Sequence, residues 1–137
     1  MVNAIPKFVD IDKDTLGLDP HFLENALTKK TKAIIPVHYA GLPCQIKEIS
    51  QIASRKKITL IEDAAESLGA HICGKMTGTF GDIGIFSFAG NKVLTTGEGG
   101  AIVTDSKQIF EKLKLIRSHG RKENLNYFSS TSSPNYV

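Results

Sequence analysis

At 137 residues, 41% of them hydrophobic and 23% charged, the chain has the length and make-up of one ordinary globular domain, not of a disordered or fibrous protein. Seventeen Lys and Arg against fourteen Asp and Glu leave a formal net charge of +3, spread along the chain, which argues against a nucleic-acid footprint. Residues 1–6 lack the basic and apolar regions of a signal peptide, and no apolar run approaches the roughly 20 residues of a membrane helix.

In chain order, residues 8–11 (FVDI) form a short β-like run. Asp19-Pro20 marks a helix start, with Asp as N-cap and Pro at the first helical position. Phe22, Leu23, Ala26 and Leu27 follow at helical spacing. Residues 32–39 (KAIIPVHY) predict a buried strand, ended by Gly41 and Pro43. A helix is expected over 43–56, with Ile46, Ile49, Ile52 and Ala53 on one face and Arg55, Lys56 and Lys57 in its last turn, where positive charge is favoured. Residues 58–62 (ITLIE) predict a strand running directly into Asp63. Gly74-Lys75 and Thr77-Gly78 suggest a small hairpin within 70–79. Strands are expected over 81–88 and 101–104, the second entered through the turn 97–100. Ser106 then caps a helix to about Ser118, with Ile109, Phe110, Leu113 and Ile116 inward, and the polar tail 122–137 is expected to be irregular.

Strands alternating with helices predict an α/β architecture with a mostly parallel sheet. Such sheets carry their chemistry beyond the carboxyl ends of the strands, which singles out residues 38–41, 63–66 and 87–92. Asp63, at the end of an apolar strand, has two readings: an N-cap for the segment that follows, or the partner of a buried cation such as a protonated heterocyclic nitrogen. Lys92 ends an otherwise uncharged stretch, 83–91. It is either a solvated turn lysine or an amine in an apolar surround, whose depressed pKa suits Schiff-base chemistry. Alternation puts Ser87 on the strand face opposite Phe86 and Phe88.

The remaining signals read as structural. The glycine-rich stretch 78–84 lacks the ending of a phosphate-binding P-loop. The four histidines, His21, His38, His71 and His119, lack metal-ligand spacing, and Lys29, Lys30 and Lys32 read as a solvated helix end. Cys44 and Cys73 form no C-x-x-C pair. Neither a zinc site nor a disulfide framework is therefore expected, and a reducing cytoplasm is the default.

Three segments together, IEDAAESLGA (61–70), GTFGDIGIFSFAGNK (78–92) and TTGEGGAIVT (95–104), resemble the DegT/DnrJ/EryC1/StrS aminotransferases, pyridoxal-phosphate (PLP) enzymes of nucleotide-sugar biosynthesis. FVDID (8–12), IIPVHYAG (34–41) and RSHGR (117–121) support the match, which covers nearly the whole chain. The resemblance implies the large domain of the fold-type I PLP enzymes. It further implies that Lys92 bonds the cofactor aldehyde, Asp63 pairs with the pyridinium nitrogen, Ala65 packs on the ring face and Ser87 hydrogen-bonds the phosphate. Glu66 stands near the ring hydroxyl, where many members carry Gln or His and where perosamine-type and legionaminic-type aminotransferases carry Glu. The implied reaction is a ping-pong transamination. An amino donor, L-glutamate, displaces Lys92, which becomes the acid–base, and a keto group on a nucleotide-linked sugar is then aminated for polysaccharide or glycan precursors. Dehydratase members replace the lysine with histidine, so Lys92 indicates the aminotransferase branch. Full-length members are expected to be homodimers with no nucleic-acid or membrane partner.

Family members are considerably longer. Residues 1–137 are therefore expected to be a partial PLP-binding large domain. An N-terminal phosphate cradle, a G-Y-N-[YF]-R segment, which Asn135 does not match, and the C-terminal small domain would lie outside it. The alternative expectation is a catalytically inert fragment or split-gene piece that needs a complementing chain.

Overall fold

Helix α1, Pro20–Ala26, begins where the Asp19-Pro20 pair places it: the Asp19 carboxylate accepts the His21 N–H at 2.7 Å. Pro20 and Leu23 are buried, whereas Phe22 is 48% exposed. The computed structural model describes residues 3–120. The tail 122–137, with Asn135, lies outside the described residues. The chain divides into two units, Met1–Val103 and Thr104–Val137. Ahead of α1, the run 8–11 is not a strand; it contributes only an isolated antiparallel bridge, Ile11 to Leu18.

Strand β1 is short, Ala33–Ile34, where a strand over 32–39 was expected. Pro36 is the reason. It has no N–H to give a ladder, although its carbonyl still accepts the Asp63 N–H at 2.9 Å. Pairing resumes at Val37, which bridges Asp63 in parallel, and the expected burial holds on one face only: Ile34, Pro36 and His38 are buried while Ile35 and Val37 are exposed. Helix α2, Ile46–Lys56, starts after Gln45 rather than at Pro43 and buries Ile46, Ile49, Ile52 and Ala53, as its spacing predicts. Lys57 closes it in left-handed conformation, its N–H returning to the Ala53 and Ser54 carbonyls.

Strand β2, Thr59–Asp63, follows and takes in Asp63 as its last residue. The expected hairpin forms from β3, His71–Ile72, and β4, Lys75–Met76. Strand β5, Ile83–Ser87, and strand β6, Gly100–Val103, are each shorter than or shifted from their sequence bounds. The main sheet has the order β1-β2-β5-β6, with β1, β2 and β5 parallel and β6 antiparallel to β5. Its covered face meets the two helices in one core of Leu23, Ile34, Ile46, Ile49, Ile52 and Leu60.

In the second unit, α3, Lys107–Arg117, is capped by Ser106, whose hydroxyl accepts the Ile109 N–H at 3.3 Å. Its expected inward face is not buried. Phe110 is 50% and Ile116 66% exposed, and Ile109 and Leu113 are only half-buried. The amphipathic spacing made the helix, but the described residues of this unit supply no surface to cover it.

Candidate active site

Parallel pairing lines up the carboxyl ends of three strands. Val37 bridges Asp63 and Asp63 pairs with Ile85, so His38, Asp63 and Ser87 stand along one sheet edge. Alternation then sorts the side chains. Glu62, Gly84 and Phe86 are buried on the covered face, while Asp63, Ile85 and Ser87 share the other. Ser87 therefore lies opposite Phe86, as expected. Its hydroxyl accepts the Ala89 N–H at 3.3 Å.

The Asp63 carboxylate accepts the Ala65 N–H at 3.1 Å, capping a turn and not a helix. That turn carries Ala65 and Glu66 back over the strand ends. Lys92 lies in the turn after β5, its N–H bonded to the Ala89 carbonyl at 3.0 Å. Its Nζ meets the Glu66 Oε1 at 3.4 Å, and its side chain is only 18% exposed. Glu66 Oε2 accepts the Ala40 N–H at 2.8 Å. This amide and the Lys92 ammonium hold the Glu66 carboxyl below its ordinary value against a smaller opposing effect of burial. The structure thus joins Glu66 to Lys92, residues 26 apart in sequence. Neither Asp63 nor Ser87 bonds to that pair among the described residues.

A second carboxylate behaves differently. Glu62 is fully buried, and four donors converge on it. They are the His38 Nε2–H at 3.0 Å and the backbone N–H groups of Gly78 at 2.9 Å, Phe80 at 2.5 Å and Gly81 at 2.6 Å. The ring's other nitrogen, Nδ1, accepts the Cys44 N–H at 3.2 Å, which assigns the neutral tautomer protonated on Nε2. Burial pushes the Glu62 carboxyl up, but the bonds from His38, Gly81 and Gly78 outweigh it and leave the carboxyl below its ordinary value. Burial also pushes the Cys44 thiol up to about 12, with the Glu62 charge acting in the same direction, so this sulfur is no nucleophile.

Reading His38 as structural holds, but the sequence reading missed Glu62. The available signal was parity: Glu62 shares a strand face with Leu60, so it is a charged residue at a core position. The glycine-rich stretch 78–84 likewise cradles an anion, but the anion is this internal carboxylate. Among the described residues, no three His, Cys, Asp or Glu converge as metal ligands would, and no helix is long and apolar enough to cross a membrane. Two surface hollows, one lined by Lys57, Thr59, Leu60 and Asp82 and one by Lys29, Lys32, Lys56 and Lys57, lie by the amino ends of the parallel strands. Open α/β sheets bind ligands at the other edge, where Lys92 and Glu66 meet.

Residues 1–136 match the DegT/DnrJ/EryC1/StrS aminotransferase family. A GDP-perosamine synthase from Caulobacter vibrioides is 44% identical over 133 residues, which are 97% of this chain and 36% of that protein. An aminotransferase from Psychrobacter cryohalolentis superposes with a TM-score of 0.86 at 34% identity, over 98% of this chain and 34% of its own. A GDP-4-keto-6-deoxymannose-3-dehydratase, solved with a trapped PLP-glutamate geminal diamine, superposes with a TM-score of 0.80 at 42% identity, over 94% of this chain and 33% of its own. The chain spans about a third of the length of these relatives.

Proposed function

We propose, because the chain belongs to the DegT/DnrJ/EryC1/StrS aminotransferase family, that the whole protein uses PLP to move an amino group from L-glutamate to a keto group on a nucleotide-linked sugar. The observation that carries this reading is the pairing of Lys92 with Glu66, 3.4 Å apart at the carboxyl edge of the parallel strands. The side chains at that edge suit the cofactor: the Lys92 amine for its aldehyde, the Asp63 carboxylate for its ring nitrogen and the Ser87 hydroxyl for its phosphate. When bound, PLP supplies the electron sink that lets an amino acid lose its α-proton.

The roles then follow from each residue's chemistry. Lys92 is the covalent anchor, and its freed amine takes and returns the proton. Asp63 holds the ring nitrogen protonated. Ser87 contributes to phosphate binding, and Ala65 leaves room for the ring. Glu66, bonded to the Ala40 amide and to Lys92, would face the ring hydroxyl and orient Lys92. A lysine at position 92, where dehydratase members of the family carry histidine, supports amination over dehydration.

Residues 1–137 form part of the PLP-binding large domain in this reading, and the whole protein works as a homodimer. The product enters polysaccharide or glycan precursors. A cytoplasmic setting goes with it, since Cys44 and Cys73 are both free thiols and a reducing compartment keeps them so. The test is to titrate the purified chain with PLP and follow its visible absorption. A shifted band that disappears in Lys92→Ala and weakens in Asp63→Asn is the expected result. A folded chain that leaves the PLP spectrum unchanged would favour an inert fragment that needs a complementing chain.

A further inference from the structure

We infer that the buried His38–Glu62 pair is a positioning device that holds the Ala40 amide against Glu66 and, through Glu66, sets where Lys92 stands. The inference rests on the proposed role of Lys92 for its meaning in catalysis, but its geometry is independent of any cofactor.

The loop 38–44 is bolted at both ends by one histidine. His38 donates its backbone N–H to the Asp63 carbonyl at 3.0 Å, its ring donates to Glu62, and its Nδ1 receives the Cys44 N–H. Between these bolts the chain makes a single turn, Tyr39–Gly41, with Ala40 at φ 51° and ψ 28°. A left-handed conformation costs a non-glycine residue about 1–2 kcal/mol, and such strain persists only where the surroundings impose it. Here it aims the Ala40 N–H at Glu66 Oε2, 2.8 Å away, and the other Glu66 oxygen meets Lys92.

Glu62 supplies the fixed end. Its second set of bonds, to Gly78, Phe80 and Gly81, anchors it in the turn that leads into β5. Loosening either member of the pair frees the loop at His38 or at Glu62. The Ala40 amide is then no longer held in its strained position, and Glu66 loses the donor that fixes one of its oxygens.

The experiment follows the Glu66 carboxyl by side-chain carbon NMR in the cofactor-free chain, in wild type, His38→Gln, His38→Leu and Glu62→Gln. Gln offers one donor and one acceptor in place of the two ring nitrogens. Wild type and His38→Gln should titrate below the ordinary carboxyl value. His38→Leu and Glu62→Gln should move back toward it, and borohydride trapping of added PLP on Lys92 should fall on the order of tenfold to a hundredfold. An unchanged Glu66 titration in a folded His38→Leu or Glu62→Gln would overturn the inference. If neither variant folds, amide exchange in wild type decides: Ala40 and Cys44 should open together with Gly78 and Gly81, and independent, far faster exchange at Ala40 and Cys44 would overturn it. If wild type never traps PLP, residues 1–137 are an inert fragment that needs a complementing chain, while the Glu66 titration still decides the coupling.

Discussion

Two glutamates four residues apart show how differently a carboxylate can be kept ionised. Glu66 is half-open to solvent and is held by one amide and one lysine. Glu62 is dry and depends on four donors. Removing its charge should therefore be costly. Glu62→Gln turns one acceptor oxygen into a donor facing other donors, and an unsatisfied buried group of this kind costs about 1–3 kcal/mol, readable by urea denaturation. The pH dependence follows from the lowered carboxyl. A group whose folded value lies below its unfolded one stabilises the fold fully above the unfolded value, here 4.5, and loses that contribution as pH falls through the folded one. Wild type should lose stability as pH drops below about that value, and Glu62→Gln should show a shallower slope. Equal slopes would remove Glu62 from the acid response. At this scale the sequence placed Asp63, Ser87 and Lys92 at or just beyond strand ends, and Asp63 and Ser87 do close β2 and β5 while Lys92 lies in the turn after β5. It did not reveal the His38–Glu62 pair, because a contact between residues 24 apart exists only once the register of β1 on β2 is known.

Among the elements, the turn 78–81 and strand β5 meet more closely than any side chain would allow. A Cβ on Gly84 would lie 1.9 Å from the Gly78 carbonyl oxygen, whereas one on Gly90 would meet nothing nearer than Gly97 O at 3.8 Å. Gly84→Ala should destabilise by at least the roughly 1–3 kcal/mol typical of overpacking, because backbone must move, and Gly90→Ala should change the unfolding midpoint little. The reverse ranking would contradict the close approach of turn and strand. In α3, Ser106→Ala should cost about 1 kcal/mol of helix stability, measured by the helical signal on heating; no loss would mean that the cap is idle. Two of the three helix starts, those of α1 and α3, were legible, because Asp19 and Ser106 have local jobs that a short window reveals. The end of β1 was not, because Pro36 breaks the ladder while the chain stays extended. Nor was the antiparallel direction of β6, which depends on how the loop after Lys92 returns.

For the main unit as a whole, the α/β class and mostly parallel sheet follow from alternating segments, but the burial of the sheet is one-sided. Ile35 is 57%, Val37 40% and Ile102 52% exposed, on the face away from α2. Composition counts such residues as core, and only the arrangement shows them open. An apolar face of this kind favours association, so the isolated chain should bind a hydrophobic dye and grow in apparent mass with concentration in light scattering. A dye-silent monomer at all concentrations would show that the face is covered. The central claim, that Lys92 is the cofactor anchor of a sugar aminotransferase, has a more direct test. The chain is incubated with PLP, reduced with borohydride, digested and mapped by mass spectrometry. The account predicts a phosphopyridoxyl adduct concentrated on Lys92 and absent from Lys92→Ala. An adduct scattered over surface lysines such as Lys29, Lys56 and Lys57, unchanged by that substitution, would contradict it.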